Sequence, residues 1–289
     1  MFSISIIIPT KDRPDFLQAS VASAMLELPA NAEVLVIDDS ESLSAIKALG
    51  KNHGIQLRAL PNDGTSGPAG ARNFGVSQAK NDVIIFLDDD DLLIPGYVAN
   101  VAQLAKSAQY GFSAIKKFRI PPYQMELFIE NSAVDVLSLP FRKQLAGLGC
   151  GFWITRRHFL ALGGLDETLM VNEDTDFSIR VLAENLKGTY QSEPGVMVRL
   201  HGNNTKDKNV GQITKRSSAK ARSGYFAYIL KKNEAFFNKN PDARNYIRKR
   251  RLKMTAKAGL FSEGLAASAF SLPLICYFTI NFLIYRLRS

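Results

Sequence analysis

Three groups of carboxylates are placed in the sequence where they could do chemistry. Asp38-Asp39 follows an apolar run at 34–37, and Asp88-Asp89-Asp90-Asp91 follows another at 83–87. Glu173-Asp174 opens a helix-like segment that also carries Asp176. Four successive aspartates repel one another unless a cation or bound donors offset the charge, and aspartate is a poor residue for extending a strand. Mg2+ or Mn2+ suits such a cluster, because both take oxygen ligands and can bridge phosphate oxygens. Taken alone, the DDDD run reads equally well as a solvated acidic turn that caps the next helix. The matching aspartate pair after another strand-like run favours the metal.

The elements that must position these groups alternate at short intervals. Residues 4–8, 34–37, 55–60 and 83–87 are short apolar runs that suit strands buried on both faces. Helix patterns at 14–25, 43–49, 68–79 and 95–105 lie between and after them, with Pro14, Pro68 and Pro95 where a first helical turn tolerates proline. This alternation predicts right-handed crossovers and a mainly parallel α/β sheet. In such a sheet ligands bind at the carboxyl ends of the strands, which is where the aspartates collect. Further on, strands are predicted at 110–120, 125–129, 150–155 and 195–201, with Pro121-Pro122 as a break, and helices at 156–162 and 173–184. From residue 215 the pattern is helical and basic.

Composition narrows the class. Apolar residues at 46% and charged residues at 22% fit a folded globular chain. Cys150 and Cys276 form no CxxC pair, so a reducing compartment is expected. The opening MFSISIIIP lacks a basic leader region and reads as a buried first strand. The net charge of +9 is uneven: residues 1–200 carry 18 Lys+Arg against 23 Asp+Glu, whereas residues 201–289 carry 18 against 4. An acidic first part would repel nucleic-acid phosphates, so no nucleic-acid partner is expected. Basic helices beside the uncharged stretch 264–285 fit an anionic membrane surface better.

The ordered segments IIIPTKDRPDFL (6–17), VLVIDDS (34–40), GARNFG (70–75), FLDDDDLLIPGY (86–97), GGLDETLMVNEDTDFSIR (163–180) and RLHGNN (199–204) carry a family resemblance. Across roughly residues 3–205 the chain resembles the inverting nucleotide-sugar glycosyltransferases with the A-type fold, often called family 2. The resemblance implies a Rossmann-like catalytic domain over 1–210, followed by a basic helical region over 211–289. It implies a nucleotide-diphosphate sugar donor, and a glycan or lipid-linked glycan acceptor at the inner face of a cell membrane. Pro9, Thr10 and Asp39 then face the base and ribose, and Arg13 and Arg72 face the diphosphate, although either arginine also fits a helix surface. The family's Asp-x-Asp signature falls on Asp88-Asp89-Asp90. Asp90 is thereby the metal ligand, Asp88 a ribose or metal contact, Asp89 part of the donor site, and Asp91 a helix cap. Asp174 is implied as the base that takes the acceptor's proton, beside Glu173 on the acceptor side.

Other residues stay open at this level. His201 suits a metal contact or a structural role. Trp153 suits a platform for an acceptor sugar or core packing. Asp12 and Glu41 depart from the family's common pattern, which leaves the base and sugar undetermined, and the absence of Gln-x-x-Arg-Trp favours single additions over polymerisation. A sugar nucleotidyltransferase would normally place a glycine-rich phosphate loop after the first strand, and Pro9–Arg13 contains no glycine. A non-catalytic binding protein of the same fold is the remaining alternative.

Overall fold

The computed structural model describes residues 2–26, 28–49, 56–119, 133–149, 151–201, 217–269 and 271–287. A nine-stranded sheet forms its centre, in the order β3-β2-β1-β4-β8-β6-β9-β5, with β7 paired on β9. The parallel half comprises β1 (Ile4–Thr10), β2 (Ala32–Asp38), β3 (Leu57–Pro61) and β4 (Val83–Phe86). Strands β1, β2 and β4 are apolar at nearly every position because both faces are covered. Ile4, Ile6, Ile8, Val34, Val36, Val83 and Ile85 point to one side, and Ile7, Leu35, Ile37, Ile84 and Phe86 to the other. On the first side α1 (Pro14–Met25) contributes Leu17 and Val21, and α4 (Tyr97–Leu104) contributes Val98 and Val101. On the second, α3 (Pro68–Gln78) contributes Ala69, Ala71 and Val76. A further helix, α2 (Ser44–Leu49), joins β2 to β3.

The other half of the sheet is mixed. Strand β8 (Trp153–Thr155) runs antiparallel to both β4 and β6 (Tyr110–Phe118), and β6 runs parallel to β9 (Gly188–Arg199). Two short strands, β5 (Leu92–Leu93) and β7 (Val134–Asp135), pair antiparallel with β9. Strand β9 begins seven residues before the predicted 195, with a register shift where Pro194 interrupts regular pairing with β6. The predicted strand at 125–129 lies outside the described residues. Pro14 and Pro68 occupy first-turn positions as expected, whereas Pro95 precedes its helix: left-handed Gly96 (φ 86°) is the cap of α4.

Between β7 and β9 lie α5 (Phe141–Gln144), α6 (Arg156–Ala161) and α7 (Glu173–Ala183). The basic C-terminal region forms α8 (Ala219–Lys232), α9 (Glu234–Lys239), α10 (Pro241–Lys257), α11 (Phe261–Ala267) and α12 (Leu272–Arg286). It packs back on α7: Phe226, Ile229, Phe237 and Ile247 share a buried cluster with Leu169 and Ile179. A polar clasp reinforces the joint. Buried Asp176 accepts from Arg180 Nε (2.9 Å), Lys232 Nζ (3.0 Å) and Asn233 Nδ2 (2.9 Å), and Lys232 also reaches Asp166 Oδ2 at 2.5 Å. The uncharged stretch 264–285 is split between α11 and α12. Among the described residues no helix is long and apolar enough to cross a membrane.

Candidate active site

A cavity of about 490 Å3 opens at the carboxyl ends of the parallel strands. Pro9 and Thr10 from β1, Asp39 just after β2, Asp88–Asp91 after β4, and Glu173 and Asp174 at the start of α7 all line it.

The two aspartates at the end of β2 divide their work. Asp38 turns inward and accepts from the backbone N–H groups of Ser40 (3.0 Å), Ala45 (3.0 Å) and Ile46 (3.1 Å), so it caps α2. Asp39 faces the cavity and accepts from Asn62 Nδ2 (2.7 Å), Ser66 Oγ (2.9 Å), Gly67 N (3.0 Å) and Lys11 Nζ (3.1 Å). Burial works against its charge, but these donors hold the carboxyl below its ordinary range. Asn62, Ser66 and Lys11 were not singled out in the sequence. The spaced glycines Gly64, Gly67 and Gly70 were the available signal, since left-handed Gly67 (φ 108°) brings its N–H to Asp39.

The aspartates after β4 point in different directions. Asp89 is 1% exposed, accepts from Thr10 Oγ1 (2.7 Å) and pairs with Arg13 Nη2 (2.6 Å). Burial, opposed by Arg13, pushes its pKa up to about 7. Asp90 Oδ2 meets Arg13 Nη1 at 3.1 Å and His201 Nε2 at 2.6 Å, and Phe16 lies edge-on to that imidazole. Asp88 pairs with Arg72 Nη2 at 2.7 Å and packs against Gly149. Asp91 does not cap a helix. Its Oδ1 accepts from Arg199 N at 2.8 Å and ties the end of β9 to the cluster.

Oxygens of Asp88, Asp90 and Asp91 all lie within 4.8 Å of one another. Burial, then the charges of Asp88 and Asp90, raises the pKa of Asp91 strongly. An all-oxygen, over-charged set of this kind fits a hard divalent cation such as Mg2+ or Mn2+, and His201 stands beside it on Asp90.

Arg72 is buried and spans the cavity floor, with Nη1 3.3 Å from Glu173 Oε1. Burial and the charge of Asp174 raise the pKa of Glu173, with Arg72 opposing. Asp174 Oδ1 accepts from Thr175 N at 2.6 Å. Trp153 does not join the site: it is fully buried in β8 and packs in the core against the sheet, so it offers no face to an acceptor. Met170, Arg222 and Arg250 line the cavity without having been predicted. The two arginines come from α8 and α10, and no local motif marks them.

The family model for glycosyl transferase family 2 matches residues 5–156. An uncharacterized glycosyltransferase of Haemophilus influenzae is 25% identical over 68% of this chain and 68% of its own length. The succinoglycan biosynthesis protein ExoU of Rhizobium meliloti is 30% identical over 69% of this chain, and the match spans 63% of that relative. The UDP-Glc:alpha-D-GlcNAc-diphosphoundecaprenol beta-1,3-glucosyltransferase WfaP of Escherichia coli is 30% identical over 38% of this chain and 44% of its own length. Among solved structures, S. aureus TarS 1-349 in complex with UDP-GlcNAc superposes with a TM-score of 0.67 at 15% identity, covering 98% of this chain and 89% of that one. The fold is the Rossmann-like A-type with C-terminal helices, and the chain belongs to glycosyl transferase family 2.

Proposed function

We propose that the chain is an inverting glycosyltransferase that moves a sugar from a nucleotide-diphosphate donor to an acceptor hydroxyl, in cell-surface polysaccharide or lipid-linked glycan assembly. The observation that carries this reading is the single cavity that joins Asp39, the Asp88–Asp91 cluster and Glu173-Asp174. Pro9, Thr10 and Asp39 hold the base and ribose, and Arg13 and Arg72 face the diphosphate. Asp88, Asp90 and His201 hold Mg2+ or Mn2+, which when bound offsets the diphosphate charge and the charge that builds on the departing nucleotide. Asp174 accepts the proton of the acceptor hydroxyl as that oxygen bonds to the anomeric carbon from the face opposite the diphosphate. The electron pair of the broken carbon–oxygen bond leaves with the nucleotide. Glu173, steadied by Arg72, lines the acceptor side.

The test is nucleotide release from a panel of nucleotide-diphosphate sugars, with Mn2+ and with chelator, followed by the anomeric configuration of the product. Release should require the divalent ion, stop in Asp90→Asn, and give the inverted anomer. Full turnover in chelator would remove the metal from the reading. Binding without turnover would make the chain a non-catalytic member of the fold.

We also propose that residues 1–210 carry catalysis and residues 211–289 attach peripherally to an anionic membrane at its inner face. The support is the net charge of the tail and the exposed row Leu272, Ile280, Leu283, Ile284 and Leu287 on and beside α12.

A further inference from the structure

One wall of the cavity comes from the C-terminal helices, and it is cationic. Arg222, in the first turn of α8, and Arg250, in α10, line the cavity beside Glu173 and Asp174. Arg250 is held in place. The Arg250 guanidinium lies 4.7 Å from the centre of the Phe226 ring and donates from Nη1 to Thr175 Oγ1 at 3.4 Å. Helices α8 and α10 are joined beneath them by the buried hydroxyl pair Ser223–Thr255 at 2.6 Å.

This pair is poorly satisfied by the protein itself. Among the described residues no carboxylate forms an ion pair with either arginine, whereas Arg13 and Arg72 each engage two. Arg222 Nε is buried without a hydrogen-bond partner. Burial and the like charge of Arg250 lower the pKa of Arg222, with only Asp174 pulling it back. Two like charges facing a cavity, one with an idle donor, have a free-energy cost that an anion between them would offset. Guanidinium forks match phosphate oxygens well.

Position indicates which substrate supplies the anion. The strand-end cluster already has Arg13 and Arg72, while Arg222 and Arg250 adjoin Asp174 and Thr175. We propose that Arg222 and Arg250 form a phosphate-binding subsite for the acceptor, so that the acceptor carries a phosphate or diphosphate close to its reacting hydroxyl. The inference rests on the reading in which Asp174 takes the acceptor's proton. It also gives the packing of α8 and α10 on α7 a direct part in acceptor choice.

Calorimetry on the full chain, saturated with UDP and GDP in excess Mg2+, tests it with two probes: octyl diphosphate for a lipid-linked source and bis-glycerol phosphate for a phosphodiester polymer. One of them should bind, and the better binder identifies the source. The Arg222→Gln/Arg250→Gln chain should lose about tenfold or more of that affinity, the worth of one charge-assisted hydrogen bond or more. The Arg222→Lys/Arg250→Lys chain should keep most of it, which separates loss of charge from loss of fold. The proposal is overturned if neither probe binds the loaded wild type, or if the glutamine pair binds as well as wild type. It is also overturned if the glutamine pair weakens UDP and GDP as much as the probe, since the arginines then serve the donor. A wild type that binds a probe through the two arginines but releases nucleotide from no sugar donor would leave an anion site while removing the transferase reading.

Discussion

Arg72 Nη2 lies 2.7 Å from Asp88 Oδ1, an ion pair that links the helix after β3 to the end of β4 across the cavity floor. The same guanidinium reaches Glu173 and restrains the rise in that residue's pKa. Arg72→Met should therefore have two effects. Nucleoside-diphosphate affinity should fall about tenfold or more in calorimetry, the worth of a charge-assisted hydrogen bond. Glu173, losing its opposing cation, should titrate at higher pH than in wild type when followed by carboxyl NMR. Unchanged affinity would take Arg72 out of the donor site.

Asp174→Asn should cut turnover by roughly two to four orders of magnitude, the usual contribution of a general base, with nucleotide affinity retained. Glu173→Gln, which loosens Arg72, should weaken binding more than it slows turnover. An exchange of these two outcomes in steady-state kinetics would reverse the assigned roles.

Gly149 supports Asp88 by having no side chain. A Cβ added there would stand 2.6 Å from Asp88 Oδ2 and 3.1 Å from its Cγ. Because Asp88 is half-exposed, it can swing away and the fold should survive. Gly149→Ala should thus lower nucleotide-sugar affinity while the melting temperature stays near wild type. A large drop in melting temperature would mean instead that the backbone gives way.

The clasp between α7 and α8 has a pH signature. Burial alone would raise the pKa of Asp166, but Lys232, Thr168 and Tyr228 outweigh it and hold the carboxyl well below its ordinary range. A depressed folded pKa contributes stability that is present above the unfolded value of about 3.9 and is lost as pH falls through the folded value. Denaturant midpoints should therefore drop for wild type below about pH 4, and Asp166→Asn should show a shallower acid dependence. Equal slopes would mean that the ion pair does not stabilise the docked helices.

The exposed row on α12 should seat on anionic lipid. The protein should co-sediment with phosphatidylglycerol-containing vesicles at low salt, and high salt or alkaline carbonate should release it. Leu283→Glu with Ile284→Glu should lose binding. Release by detergent only would indicate deeper insertion, and no sedimentation at low salt would end the membrane proposal.

Much of the parallel half was legible because a strand covered on both faces must be mostly apolar, as β1, β2 and β4 are. Strand β9 extends upstream of the predicted 195 to Gly188 because its pairing with β6 continues through a register shift at Pro194, which no local pattern marks. The two-residue strands β5 and β7 are too short to show any period.

For the site, residue type and place in the chain were enough to put carboxylates at the strand ends, since the chemistry of four adjacent aspartates and the rule for open sheets are both local statements. Direction was not local. Neighbouring side chains at a strand end diverge, so Asp38 caps α2 while Asp39 faces the cavity, and Asp91 ties down Arg199 while Asp90 meets His201. Whether Trp153 was platform or core depended on the strands on either side of β8, and these bury it completely. Arg222 and Arg250 enter the cavity only because Phe226, Ile229 and Ile247 bury themselves against Leu169 and Ile179. That choice of packing partner is made across the whole chain, by apolar burial between segments that share no motif.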